Sequence, residues 1–208
     1  MKTTIKSRVG FGLTSLLLAV AASVVAPAAA QANSKTYSGS GDAVVDITPI
    51  KSASIIKATF AGESAFFVAP IDSTGKEGFS LVLSVGAFDG TVFQPAVTKP
   101  IVALSVKAEG DWTLVVSPVA SAPQVGTKNV SGSGSAVVKW AKASSGFKKI
   151  AFTNDGEGAF MVAPIDAKGK ERFSMILNVG AYNGSVLLPA GTRYLRITSD
   201  GNWTFSVK

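Results

Sequence analysis

The chain has 208 residues, with 20 Lys and Arg, 13 Asp and Glu, no His and no Cys, and a formal net charge of +7. A sequence without Cys has no disulfides, no thiolate nucleophile and no cysteine metal ligands. A sequence without His has no Ser-His-Asp triad and no imidazole metal ligands. The 47% of hydrophobic residues and the 21 Gly are typical of a turn-rich globular protein.

Residues 1–32 are typical of a secretory signal peptide. Three basic residues come first, an uncharged apolar run covers residues 11–25, and small residues follow at 28–32. The alternative is an uncleaved membrane anchor, but the apolar run is short and ends near Pro27. We therefore expect a secreted or surface-attached chain with no membrane span after cleavage.

The rest of the chain consists of two similar copies of one sequence unit. The motif FVAPID recurs as MVAPID, and VGAFDG recurs as VGAYNG, at an offset of 94 residues. Residues 63–96 and 157–190 are identical at 21 of 34 aligned positions, which indicates a duplicated module. The predicted organisation is copy one over residues 33–118, a short Pro-containing linker over 119–128 and copy two over 129–208.

Each copy is predicted to be all-β, because short alternating apolar runs are separated by Gly, Asp, Asn, Ser and Pro and no helical periodicity is present. We expect two tandem antiparallel β-sandwiches, Ig-like or jelly-roll in type. The predicted strands cover residues 43–47, 55–61, 65–71, 79–85, 91–94, 101–108 and 112–117 in copy one, and 136–140, 149–154, 159–165, 173–179, 185–188, 193–199 and 203–207 in copy two.

Two sequence signals bear on how these strands connect. Asp89-Gly90 and Asn183-Gly184 predict two-residue hairpin turns, because such turns require positive φ. Pro interrupts the third strand pattern of each copy, which predicts that this strand is an edge strand or is bent there.

Carboxylates repeat between the copies, and three interpretations of them are open. We favour turn residues that hydrogen-bond their own loops. A catalytic carboxylate pair of a hydrolase and a calcium site at residues 155–158 are the alternatives. No catalytic residue, metal or cofactor is predicted. The repeated carboxylates are Glu63 and Glu157, Asp72 and Asp166, and Glu77 and Glu171.

The aromatic residues divide into two groups. Trp112 and Trp203 are in phase with other apolar residues, which predicts that both lie in the core. Phe88 and Tyr182 precede the predicted turns and are better candidates for an exposed ligand platform.

Charge is unevenly divided between the copies. Residues 33–123 carry six Lys and eight acidic residues, a net charge of −2, whereas residues 124–208 carry eleven basic and five acidic residues, a net charge of +6. A basic face in copy two would suit an anionic envelope polymer or the acidic copy of a neighbouring chain, although a solvated surface is the simpler interpretation. The candidate ligand-binding residues are Lys139, Trp140, Lys142, Phe147, Lys148 and Lys149, with Phe88 and Tyr182.

Three segments carry a family resemblance: the opening SGSGDAVVD of residues 38–46, the motif VGAYNG of residues 179–184 and the closing SDGNWT of residues 199–204. The chain resembles a β-sandwich module of secreted bacterial, especially actinobacterial, surface proteins. The resemblance spans both copies and implies a surface or accessory role, with no catalytic residues to carry over.

The function predicted from the sequence is a secreted, non-enzymatic protein that binds polysaccharide or an anionic wall polymer at the cell envelope. A self-assembling structural protein and a hydrolase are the alternatives. Without its leader the chain has a net charge of only +4, which gives little reason to expect nucleic acid as a partner.

Overall fold

The computed structural model describes residues 34–208, so the predicted signal peptide lies outside the described residues. The described residues form sixteen β-strands and one 3₁₀ turn at Val119–Ser121. The strands of copy one are β1 Lys35–Ser40, β2 Ala43–Ile50, β3 Ser54–Phe60, β4 Ala65–Asp72, β5 Val82–Val85, β6 Phe88–Gln94, β7 Ile101–Lys107 and β8 Asp111–Pro118. Those of copy two are β9 Val130–Ser133, β10 Ala136–Lys139, β11 Lys148–Asn154, β12 Ala159–Asp166, β13 Ile176–Val179, β14 Tyr182–Leu188, β15 Thr192–Thr198 and β16 Asn202–Val207.

Each copy is a sandwich of two antiparallel four-stranded sheets. In copy one, sheet I has the order β2-β7-β4-β5 and sheet II the order β1-β8-β3-β6. In copy two, sheet III has the order β10-β15-β12-β13 and sheet IV the order β14-β11-β16-β9. Sheet III therefore repeats sheet I and sheet IV repeats sheet II, strand for strand. The prediction of two tandem β-sandwiches is confirmed, and the eight-strand order is that of a jelly roll rather than an Ig domain.

Each sandwich closes over its own apolar core. Leu114 in copy one and Phe205 in copy two lie in these cores, next to Trp112 and Trp203. Both tryptophans are buried, as predicted from their phase. Gly39 and Gly132 lie directly under the two indole rings, and a Cβ at either position would overlap the ring. The glycines of the repeated SGSG motif therefore make room for the tryptophans.

The prediction of hairpin turns at Asp89-Gly90 and Asn183-Gly184 is wrong. Asp89 and Gly90 lie inside β6, and their copy-two counterparts lie inside β14. The turn comes earlier, at Gly86, which has a φ of +83°. Gly90 instead leaves space for the ring of Phe88, which folds back over it, as Tyr182 does over Gly184. A glycine required for close packing thus gives the same sequence signal as one required for a turn.

The proline strands are not edge strands, so that predicted alternative is wrong, and each strand has an irregular register shortly after its proline. β4 lies between β7 and β5, and its register shifts between Ile71 and Asp72. The last pair with β5 is Val68 with Val82, so Pro70 lies beyond that ladder. The missing N–H of Pro70 therefore interrupts no pairing between these strands. β12 shows the same shift after Pro164.

A third apolar cluster joins the two copies. Ile55 and Phe93 project from the outer face of sheet II and pack with Val137, Ile165 and Tyr194 from the outer face of sheet III. The Thr91 N–H also donates to the Ser135 carbonyl at 2.8 Å. Among the described residues, the sheets therefore follow one another in the order I, II, III, IV, and nothing covers the outer faces of sheets I and IV. The junction covers only part of the outer faces of sheets II and III, because Lys57 and Leu177 on those faces remain exposed.

The segment 119–128 packs along this junction. Val119 and Ala122 are buried in the third cluster, and the Val119 N–H donates to the Ala53 carbonyl at 3.1 Å. Farther on, Val125 packs against the core of copy two. The segment is thus in contact with both copies.

Candidate ligand-binding pocket

Two basic residues of copy two, Lys142 and Lys148, line a pocket of about 500 Å³. It is formed by the loop between β10 and β11, the segment 125–127 and the ends of β14 and β16. Ser144 holds the loop in place, because its backbone and hydroxyl groups make four hydrogen bonds to the turn between β14 and β15. Ser144 donates its N–H to the Thr192 carbonyl and its hydroxyl to the Pro189 carbonyl. It accepts the Gly191 N–H at its carbonyl and the Thr192 N–H at its hydroxyl. All four distances are 2.8 to 3.0 Å.

Three of the predicted site residues line this pocket: Trp140, Lys142 and Lys148. Trp140 is buried, and its indole N–H donates to the Gly126 carbonyl at 2.9 Å. This bond ties the ring to the segment that forms the opposite wall. The two lysine side chains are exposed beside the pocket.

The lining of the pocket is apolar and cationic. Trp140, Leu188 and Val207 supply apolar surface, and the residues around the pocket include no Asp or Glu. A cation beside a partly desolvated apolar surface attracts anionic groups more strongly than a cation in open solvent. The pocket therefore suits an anionic ligand with an apolar or ring-shaped part.

Phe147 and Lys149 adjoin this pocket without lining it. Phe147 is exposed. Lys149 lies on the outer face of sheet IV, where it pairs with Leu187 of β14. Both side chains are next to Lys148 in the chain, and strand alternation turns Lys149 to the other face of the sheet from Lys148.

The other three predicted residues lie elsewhere. The Lys139 ammonium donates to the Ala120 carbonyl at the junction between the copies. Tyr182 pairs with Asn154, at the far end of β11 from Lys148, and its ring packs on Phe160. Phe88 belongs to copy one, where it is half-buried against the core of that copy.

Copy one has an equivalent pocket that the sequence analysis missed. It measures about 400 Å³ and lies between β1, the loop between β2 and β3, and the end of β8. Lys35, Tyr37 and Lys51 line it, again without an acidic residue. The Thr48 N–H donates to the Tyr37 hydroxyl at 3.0 Å. Although copy one is acidic as a whole, this end of it is locally basic, which net charge could not reveal.

The carboxylates that begin the β4–β5 and β12–β13 loops are turn residues, as the favoured interpretation predicts. The Asp72 carboxylate accepts hydrogen bonds from the Thr74 hydroxyl and from the Thr74 and Lys76 N–H groups, and these bonds hold the pKa of Asp72 below its usual value. Asp166 accepts the equivalent bonds from the N–H groups of residues 168 and 170. Both carboxylates are thus engaged by their own loops.

The remaining repeated carboxylates differ from each other. Glu171 forms an ion pair with Arg196 at 2.5 Å, and both side chains are about three-quarters buried. Glu63 and Glu157 are exposed. Within residues 34–208, no cluster of three or more potential metal-ligating side chains is present. Over the same residues, no helix has the length and apolar character needed to cross a membrane.

Comparison with known proteins adds no family. No protein-family model and no curated protein matches the chain. Among solved structures, a regulatory subunit of a cAMP-independent protein kinase A from Trypanosoma cruzi bound to guanosine is similar at 10% identity and a TM-score of 0.21, with 84% of this chain and 72% of that chain covered. Bacillus subtilis oxalate decarboxylase is similar at 11% identity and a TM-score of 0.27, with 83% and 67% covered. Neither likeness is close enough to indicate a function.

Proposed function

We propose that this is a secreted, non-enzymatic bacterial protein that binds an anionic polymer of the cell envelope, either an acidic polysaccharide or another wall polymer. The observation that carries the proposal is the meeting of Trp140, Lys142 and Lys148 around one pocket without an acidic residue in its lining. The leader-like residues 1–32 and the resemblance to secreted actinobacterial modules support a location outside the cell.

The duplication supports a polymer as the ligand. The pockets of the two copies have equivalent positions in the two sandwiches, and both combine an aromatic side chain with lysines. Two moderate sites on one chain can engage two segments of one polymer, so that the second contact is made at a high local concentration. A small monomeric ligand would gain nothing from this arrangement.

The non-enzymatic part of the proposal is supported by how the carboxylates are used. Three of the six repeated carboxylates are engaged in this way: Asp72 and Asp166 bond within their own loops, and Glu171 is paired with Arg196. The other three, Glu63, Glu77 and Glu157, are exposed. A general acid or base must reach the proton that it transfers, so side chains held in this way are poorly placed for that role.

The test is co-sedimentation of the purified protein with isolated Gram-positive cell walls, and in parallel with inorganic polyphosphate coupled to beads. We expect binding at low salt and release at high salt, because the contacts are between charges near the surface. Lys142→Gln together with Lys148→Gln should weaken binding about tenfold, since each lysine contributes a modest surface interaction.

The matched control is Lys168→Gln together with Lys170→Gln, which removes the same charge from an exposed loop of the same copy. This control should bind as the wild type does. Equal loss in both double variants would show that binding follows net charge and would contradict a pocket. Absence of binding to both probes at low salt would overturn the proposal.

A further inference from the structure

The two uncovered outer faces of the stack are counterparts of the two faces that meet inside the chain. Sheet IV repeats sheet II, and sheet I repeats sheet III. The junction places the outer face of sheet II on the outer face of sheet III. If sheet IV of one chain met sheet I of another chain, the two faces in contact would be the counterparts of sheets II and III. Those two sheets already pack together within each chain.

Two exposed apolar side chains lie at the positions that the junction buries. Val137 is 1% exposed at the junction, and its counterpart on sheet I, Val44, is 68% exposed. Phe93 is 4% exposed at the junction, and its counterpart on sheet IV, Leu187, is 65% exposed. Each open face thus exposes an apolar side chain at a position where the junction buries one.

The net charges of the two open faces are opposite: the face of sheet I has Asp46, Glu77 and Lys107, and the face of sheet IV has Lys149. On sheet I, Asp46 stands at the position that Lys139 has on sheet III. On sheet IV, Lys149 stands at the position that Ile55 has on sheet II. Across the whole copies, residues 33–123 have a net charge of −2 and residues 124–208 a net charge of +6. Opposite charges favour contact between unlike faces and oppose contact between two identical ones.

We propose that a second copy of this chain docks its sheet I against sheet IV, so that chains associate head to tail through the equivalent of the internal junction. Such an interface is heterologous, because different faces of the two chains meet, and it does not close after two chains. The proposal does not depend on the pocket or on its ligand.

The joint between chains is weaker than the junction within the chain. Val119 and Ala122, which fill the internal junction, belong to the connecting segment and have no counterpart at the open faces. Tyr194 of sheet III is replaced by Ala103 on sheet I, and Ile55 by Lys149 on sheet IV. Less apolar surface and more charge make association sensitive to both concentration and salt.

The test is sedimentation velocity of the purified protein over a series of concentrations. We expect the average sedimentation coefficient to rise with concentration at low salt and to fall when salt is added. Val44→Lys, which places a like charge opposite Lys149, should weaken self-association at least about tenfold, and Leu187→Glu should do the same from the other face. Both positions are exposed, so both variants should fold.

A mixture of the two variants distinguishes head-to-tail association from association through two identical faces. The Val44→Lys chain retains an intact sheet IV, and the Leu187→Glu chain retains an intact sheet I. The mixture should therefore form a complex of one chain of each kind and grow no further. A mixture that stays monomeric, when the wild type associates, would overturn the proposal.

Leu83→Lys is the matched control on sheet I. Leu83 is exposed on the same sheet, but its counterpart Leu177 remains exposed beside the internal junction, so the joint should not cover it. This variant should associate as the wild type does. If Leu83→Lys abolishes association, the chains meet through the edge strand of sheet I and not through the counterpart of the internal junction, and the proposal is wrong. A wild type that remains monomeric at all concentrations would also refute the proposal.

Discussion

Sheets II and IV are the same four-stranded sheet in two settings. In sheet II, Ile55 pairs with Phe93, and the other copy covers both side chains. In sheet IV the equivalent pair is Lys149 with Leu187, and solvent reaches both. The inner faces of the two sheets remain apolar, so the difference is confined to the outer face. The sandwich therefore determines which residues occupy the inner side of each strand, and the place of the sheet in the order I to IV determines which residues occupy the outer side.

The largest expected effect comes from giving sheet II the outer-face residue of sheet IV at one position. Ile55→Lys buries a charge in the third apolar cluster and should lower the free energy of unfolding by about 3 kcal/mol, because the ammonium group has no partner there. Urea unfolding followed by circular dichroism measures the loss.

Lys149→Ile is the reciprocal control. Lys149 is exposed, so this change should alter the free energy of unfolding by no more than about 0.5 kcal/mol. Equal losses from the two substitutions would show that the junction does not distinguish the sheets.

A second prediction concerns what the two copies share. Gly132→Ala places a methyl group against the buried ring of Trp203, and Gly39→Ala does the same at Trp112. Each should cost about 2 kcal/mol, because a rigid ring in a filled core must shift to make room. Thermal or urea unfolding of each variant measures it.

Gly126→Ala is the control for the glycine substitutions, because a Cβ there meets no atom within 4 Å. It should change the free energy of unfolding little. Clearly unequal losses at Gly39 and Gly132 would indicate that the two copies do not hold their tryptophans in the same way.

The smallest expected effect is a pH dependence that belongs to copy two alone. Asp155 stands where copy one has Ala61, and hydrogen bonds from the Asn202 side chain and N–H hold the pKa of Asp155 below its usual value. A carboxyl with a lowered folded pKa stabilises the fold above its unfolded pKa of about 3.9, and this contribution disappears as the pH falls through the folded pKa.

Asp155→Ala should therefore lose less stability than the wild type when urea unfolding is repeated from pH 6 to below pH 3. The difference will be small, because Asp155 is exposed. Glu157→Gln removes an exposed carboxylate two residues away and controls for the change in net charge. Parallel pH curves for the wild type and Asp155→Ala would contradict the prediction.

The local sequence pattern of apolar and turn residues was sufficient to predict most of the fold. The alternation that puts Trp112 in phase with Leu114 predicts the buried face correctly, because burial on one side of a strand repeats every second residue. Asp72 and Asp166 were also predicted correctly, since a carboxylate at a tight turn bonds to its own loop. These features depend on neighbours within a few residues.

Features that depend on distant neighbours could not be predicted in this way. Ile55 and Phe93 are ordinary apolar strand residues in sequence, and only the arrangement of the copies shows that they face the other copy. Gly90 is indistinguishable from a turn glycine until the ring of Phe88 is seen above it. One part of the site was nevertheless open to prediction: adjacent strand residues face opposite ways, so Lys139 could not share a pocket with Trp140.

The three tryptophans share one environment, and this gives the molecule natural optical reporters. Each indole N–H donates to a glycine carbonyl at 2.9 Å: Trp112 to Gly41, Trp140 to Gly126 and Trp203 to Gly134. Copy one contains a single indole and copy two contains the other two. Replacement of one or two rings by Phe therefore leaves fluorescence that follows one half of the protein, so the two halves can be observed separately within the intact chain.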